Sequence, residues 1–207
     1  MAQTTSPTPE RSFIETHRRR QIIETAVEVI ASQGFHQATL GNIAKAAGIS
    51  KGVIGYYFAS KDELVQEVTA YLLDEMSRFI SSQVDREHTV LDKLKSYITA
   101  SLEFVRQNRD KFRASTDLMT SLGLTCAQGP FGADTYVRCR TAIERILEQG
   151  QDQREFPALD TVNLAAIIQG ATDGLSLQWV ADPERVDFDR CRDMLLQILE
   201  THLQAGK

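Results

Sequence analysis

Apolar residues recur every three to four positions along almost the whole chain, the spacing of helices with one buried face. Ile22, Ile23, Ala26, Val27 and Ile30 form such a face in a predicted first helix from Ser12 to Gln33, and Gly34 follows as a helix-ending residue. A shorter stripe, Leu40, Ile43, Ala44 and Ala47, follows Thr39, a good N-cap whose hydroxyl can accept an orphan backbone N–H. Gly48 falls where the chain must turn sharply, with positive φ expected. Ile49 plugs the turn and Ser50 caps a second short helix to about Phe58. Two short helices around a glycine hinge make a helix-turn-helix. The outer face of the second carries Ser50, Lys51, Gly52 and Tyr56, small or hydrogen-bonding residues that suit a DNA major groove. The same geometry also occurs as an ordinary solvated helical hairpin.

Beyond the hairpin, Ser60 and Glu63 have the S-x-x-E spacing of a capping box, which predicts a long helix from Lys61 to Val84. Helices are then expected over Thr89–Gln107, Arg109–Leu122, Asp134–Gln149, Asp160–Val180 and Phe188–Leu203. The Gly-rich stretch 121–133, with Pro130, reads as a loop. No strand-like alternation and no internal repeat occurs. The fold class is therefore all-α: an N-terminal three-helix helix-turn-helix domain and a larger helical body, about nine helices in all. The expected division is a disordered Ser/Thr/Pro-rich tail at 1–11, a DNA-binding unit at 12–62 with its helix-turn-helix at 39–58, and a body at 63–207.

Charge sharpens this division. The chain of 207 residues has a net charge of −5, which by itself speaks against nucleic acid. Residues 1–61, however, hold seven Lys/Arg against four Asp/Glu, a surplus of three, whereas the remainder holds sixteen against twenty-four, a deficit of eight. A basic head on an acidic body suits a DNA reader with a separate non-DNA module. Arg18, Arg19 and Arg20 read either as phosphate contacts or as a solvated basic cluster. Lys61 sits in the first turn of its helix, where the backbone dipole already favours an anion such as phosphate.

Other chemistry is missing. The three cysteines, Cys126, Cys139 and Cys191, are odd in number and far apart, and read as buried thiols rather than a metal or disulfide framework. No nucleophile elbow, zinc-protease, P-loop or dinucleotide motif is present, and His17, His36, His88 and His202 are scattered over different elements. No cofactor or metal is expected. With neither a membrane-spanning run nor a secretory signal, a cytoplasmic protein is the default.

From Arg19 to about Val68, RRQIIETAVEVIASQGF, then TLGNIAKAAGISKGVIGYYF, then SKDEL, the chain resembles the DNA-binding domain of TetR-type (tetracycline-repressor-like) transcriptional regulators. The likeness covers about a third of the chain. It implies that Thr39, Ser50, Lys51, Gly52, Val53, Tyr56, Tyr57 and Lys61 contact DNA; Arg18 and Arg19 are added to these candidates by their charge and place in the first helix. Gly55 departs from the pattern, in which an aromatic is commoner; glycine inside a helix costs about 1 kcal/mol relative to alanine. Adjacent helical residues cannot share a face, so Tyr56 is expected outward and Tyr57 partly buried.

The resemblance also implies a homodimer through the last two helices. Leu164, Ile168, Ala171, Gly174 and Leu175, then Cys191, Leu195, Ile198 and His202, form the expected seam, although periodicity alone reads them equally as core. It implies an effector pocket between about residues 90 and 180, for which Phe104, Phe112, Thr116, Asp117, Met119, Phe131, Tyr136 and Trp179 are candidates; each reads also as core. Asp173 is expected to make a structural hydrogen bond near the subunit interface. The functional expectation is a ligand-responsive homodimeric DNA-binding regulator, a repressor released from operator DNA by a partly apolar small molecule. The alternatives are a helical small-molecule-binding protein or enzyme with a vestigial helix-turn-helix, and a structural DNA-binding protein without effector.

Overall fold

The computed structural model describes residues 13–122 and 133–204, with backbone alone at 13–14 and 133–136. The predicted tail, the Gly-rich stretch past Leu122 with Cys126 and Phe131, and the side chain of Tyr136 lie outside what is described. Among the described residues there are nine α-helices and no strand: α1 Phe13–Gln33, α2 Leu40–Ala46, α3 Lys51–Tyr57, α4 Lys61–Val84, α5 Val90–Gln107, α6 Arg109–Ser121, α7 Ala133–Asp152, α8 Thr161–Ala181 and α9 Phe188–Gln204. A single 3-10 turn, Phe35–Gln37, joins α1 to α2.

Capping chemistry sets most of these boundaries. The side chains of Thr39, Ser50, Ser60, Thr89 and Asp160 each accept the backbone N–H three residues on, satisfying an orphan donor at a helix start. The α2–α3 turn is a Schellman motif: Gly48 N–H donates to Lys45 O and Ile49 N–H to Ala44 O, with Gly48 at φ 66°. Gly34 takes φ 86° at the end of α1, a conformation that a side chain would strain.

Two apolar cores form. In the head, Ile22, Ala26 and Ile30 of α1, Ile43 of α2 and Ile54 of α3 surround Phe58. This core runs on past residue 62 into α4 through Leu64, Val65, Val68 and Leu72, and takes Ala114 and Leu118 from α6. The body core gathers α5, α7, α8 and α9 around Leu94, Ile98, Ile143, Leu147, Ile168 and Leu203. Helix α4 thus contributes to the head with its first half and lies along the body with its second.

The α7–α8 connection is closed by a tight return. Glu155 and Phe156 N–H both donate to Gly150 O, and the Glu155 carboxylate accepts Val90 N–H at the start of α5. A Cβ on Gly150 would lie 2.1 Å from the Phe156 ring. Gly150→Ala is therefore expected to destabilise by roughly 1–3 kcal/mol through overpacking, read as a lower urea midpoint at unchanged slope.

Candidate nucleic-acid interface and effector chamber

The exposed face of α3 is the one that its spacing predicts. Lys51, Gly52, Val53, Gly55 and Tyr56 face solvent, whereas Ile54 and Phe58 are buried. Tyr56 is 71% exposed and Tyr57 half-buried, their rings edge to face at 5.0 Å. The space beside Gly55 is open, so packing does not require glycine there. The Thr39 and Ser50 hydroxyls accept from Asn42 and Val53 N–H as caps, which leaves each hydroxyl proton for an outside acceptor. Lys51 lies back across α2, its Cε close to where a Cβ on Gly41 would stand.

Three basic residues of the head have other work. Arg19 faces inward and is 8% exposed, which corrects its reading as a DNA contact. Its guanidinium donates to Tyr57 O at the end of α3, meets Glu63 at 2.9 Å and Glu67 at 3.1 Å on α4, and lies over the Phe58 ring. Burial opposes its charge, but Glu67 and Glu63 outweigh that and raise its pKa. Arg20 pairs with Glu24 and Glu75. Lys61 donates to Phe35 O at 2.7 Å with its ammonium 3.9 Å from the Phe35 ring centre, and desolvation lowers its pKa. Arg18 is exposed beside Gln21.

The capping box is shifted by one residue: Ser60 accepts Glu63 N–H as expected, but the Glu63 carboxylate accepts Ala59 N–H. Its other oxygen thereby stays with Arg19.

A half-open cavity of about 590 Å³ lies between α4, α5 and α7, a volume within the usual range for small-molecule sites. Leu73, Met76, Ile80 and Val84 line one wall and Cys139, Ala142 and Ile146 the other, with Tyr97 between them. Asp74, Asp85, Arg138 and Arg145 stand at its solvent side. Tyr97 donates to Cys139 O; burial raises its pKa and that of the Cys139 thiol. Behind them Asp173 accepts from Gln169 at 2.8 Å, and burial lifts its pKa to about 6.

None of the described pocket candidates lines this cavity. Phe104 is buried against Phe79, Thr116 donates to Phe112 O in its own helix, and Trp179 stacks on Phe188. Phe112 is half-buried on α6, and Met119 packs on the head core. Asp117 holds Phe35 N–H and the Ser121 hydroxyl. The physical reason is shared by four of them: α6 turns its apolar side to α1, not to the body. The residues that do line this cavity sit mostly at helical spacing on α4 and α7, a signal that also fits plain core.

The expected dimer seam is partly turned inward. Ile168 is fully buried in its own subunit, and Leu164, Leu175 and Leu195 pack against the body core. Ala171, Gly174 and Cys191 are intermediate, and Ile198 and His202 are exposed. The exposed apolar face instead carries Val162, Ile167 and Leu177 on α8 and Met194 beside Ile198 on α9, with open space over Gly170 and Gly174.

Fold and surfaces together define an all-helical protein with an N-terminal helix-turn-helix head and a larger helical body. Residues 22–68 match the model of bacterial regulatory proteins of the tetR family, and residues 91–204 that of the C-terminal part of BetI-type transcriptional repressors. The chain belongs to the tetR family, with a body of the BetI type. It is similar to the HTH-type transcriptional regulator BetI of Escherichia coli (strain K12), 26% identical over 197 residues that cover 92% of this chain and 96% of the relative. It is also 26% identical over 190 residues to the HTH-type nicotine-responsive transcriptional repressor HdnoR of Paenarthrobacter nicotinovorans, covering 90% and 94%. Among solved structures, a putative transcriptional regulator from Saccharomonospora viridis in complex with choline superposes at TM-score 0.78 with 24% identity, covering 89% of this chain and 96% of that one. One from Pseudomonas aeruginosa PAO1 superposes at 0.80 with 21% identity, covering 92% of each. The protein is a ligand-responsive DNA-binding transcriptional repressor that acts as a dimer. No helix among the described residues is long and apolar enough to cross a membrane.

Two outcomes are expected. Arg19→Ala lowers stability by roughly 1–3 kcal/mol in chemical denaturation, because Tyr57 O and two carboxylates lose their donor. Since Arg19 is no phosphate contact, the salt slope of DNA binding should stay as in the wild type. Asp173 has a folded pKa above its unfolded value of 3.8, so its contribution is full below about pH 4 and is lost as pH rises towards 6. Asp173→Asn should remove that decline from the stability–pH curve.

Proposed function

We propose that α3 reads DNA and that a small organic effector entering the α4–α5–α7 cavity repositions the head through α4. One observation carries this reading. The same helix supplies Leu64, Val65, Val68 and Leu72 to the head core and Leu73, Met76, Ile80 and Val84 to the cavity wall. An occupant that prefers another position of the second half cannot leave the first half where it was. The exposed residues of α3, with Thr39 and Arg18, meet DNA; Lys51 and Val53 stand nearest the helix start and meet bases, while the Tyr56 hydroxyl, which donates to Glu15 at 2.7 Å, exchanges that partner for phosphate. Lys61 reaches phosphate only with donors left over from Phe35. The apolar faces of α8 and α9 around Ile167, Leu177, Met194 and Ile198 pair two copies, setting two recognition helices about one DNA turn apart.

The similarity to a nicotine-responsive repressor and to a regulator holding choline supports an effector of that size. The cavity offers apolar walls for its body and charged groups at the mouth for its polar end. The protein works as a regulator and not as a catalyst, a reading supported by four histidines that are all exposed on separate segments. Kinship with bacterial DNA-binding regulators supports a cytoplasmic location.

The test begins with a duplex selected by the protein from a random-sequence pool. Lys51→Ala or Val53→Ala should change which sequences are selected, and Tyr56→Phe should weaken all duplexes alike. A panel of small apolar amines and acids is then screened by thermal shift, and hits are tested for release of the duplex. Ile146→Trp, which fills the cavity, should abolish the shift and the release while sparing DNA affinity. Release that persists in Ile146→Trp would place the effector elsewhere.

A further inference from the structure

Phe35 is the first residue after the Gly34 bend that ends α1, and both ends of its backbone are held by other helices. Its N–H donates to Asp117 Oδ2 of α6, and its C=O accepts from Lys61 Nζ, the first residue of α4. The Ser121 hydroxyl fixes the other Asp117 oxygen at 3.2 Å. From Phe35 the 3-10 turn leads directly to buried Ala38 and to Thr39, the cap of α2, which seats α3 through the Gly48 turn. The start of the helix-turn-helix is thus pinned between the first residue of α4, on the head side, and α6. The same three helices meet again at Glu75 of α4, which pairs with Lys111 of α6 at 3.2 Å and Arg20 of α1 at 3.8 Å.

We infer that Asp117 is a positioning residue for operator binding: by holding the Phe35 N–H from α6, while Lys61 holds the Phe35 carbonyl, it fixes the angle of each head against α6, and so the separation of the two heads in the dimer. The inference rests on the dimeric DNA-reading proposal above. Helix α6 does not line the cavity, whereas α4 does. Phe35 and the Glu75–Lys111 pair are therefore where a shift of α4 against α6 is taken up, and of the two only Phe35 leads into the helix-turn-helix. Two heads on one dimer gain affinity from each other only if both half-sites are met at once, so a loosened angle costs paired-site affinity first. Sequence-independent phosphate contact tolerates a looser angle.

The experiment compares the selected duplex, carrying two half-sites, with a random-sequence duplex of equal length. Asp117→Ala should weaken the selected duplex by about tenfold or more as the geometric advantage of paired binding falls. It should leave the random duplex within about twofold, because the phosphate contacts are unchanged. Asp117→Asn, whose amide oxygen can still accept from Phe35 N–H, should restore most of the loss. Equal weakening of both duplexes would assign Asp117 to folding of the head, and unchanged binding of both would leave the clamp without a role; either overturns the inference. Circular dichroism checks the fold. If Asp117→Ala does not fold, Ser121→Ala should give the same pattern in weaker form, and its absence would count against the clamp. A wild-type protein that selects no duplex would instead sink the DNA-reading proposal itself.

Discussion

Helix α4 belongs to two apolar cores at once, and the rest of the molecule is arranged around that constraint. At 24 residues it is about 36 Å long, enough to bury one half under α1 and the other along the body. Packed cores are not continuously deformable; they move by shifting between discrete arrangements. Neither half of α4 can be displaced without disturbing the other, which makes the helix a coupler rather than a tether. An effector uses this only to the extent that it binds one arrangement better than the other. Moving a population from about 1:99 to 99:1 takes roughly 5.5 kcal/mol of differential affinity.

The electrostatics of the head follow from the same need for a fixed geometry. Its surplus of positive charge reads as a DNA footprint, yet Arg19, Arg20 and Lys61 are committed to joining α1, the 3-10 turn and the end of α3 to α4. Arg19 serves because a guanidinium offers several donors in a rigid fork, and here it satisfies a helix-end carbonyl and two carboxylates together. Lys45 and Lys51, with Arg18, remain on the exposed surface. Fewer charges than the composition suggests are left for phosphate, and the others hold the reading surface in shape.

The helices were legible because each boundary is a local matter. Thr39, Ser50, Ser60 and Thr89 cap from one side chain to a backbone N–H three residues on, and Gly34 and Gly48 take positive φ where the stripes break. The exposed face of α3 was legible for the same reason, since Ile54 and Phe58 define its buried side by spacing alone. The chamber was not. Met119, Thr116 and Asp117 sit at helical spacing as pocket residues would, but α6 faces the head, and nothing within α6 states which neighbour it meets. Helix α8 is apolar on nearly every side, so its periodicity could not tell Ile168, turned inward, from Ile167, turned out.

The sequence by itself determined where most helices start and stop, that two short helices around Gly48 make a helix-turn-helix, and which face of α3 looks outward. These depend on interactions within a few residues, where spacing and side-chain chemistry suffice. The tertiary structure decided which arginine is structural, where the cavity opens, and that Asp117 of α6 holds the Phe35 N–H. Those are contacts between residues 26 to 82 positions apart, fixed by how whole helices pack, and no local pattern encodes the partner.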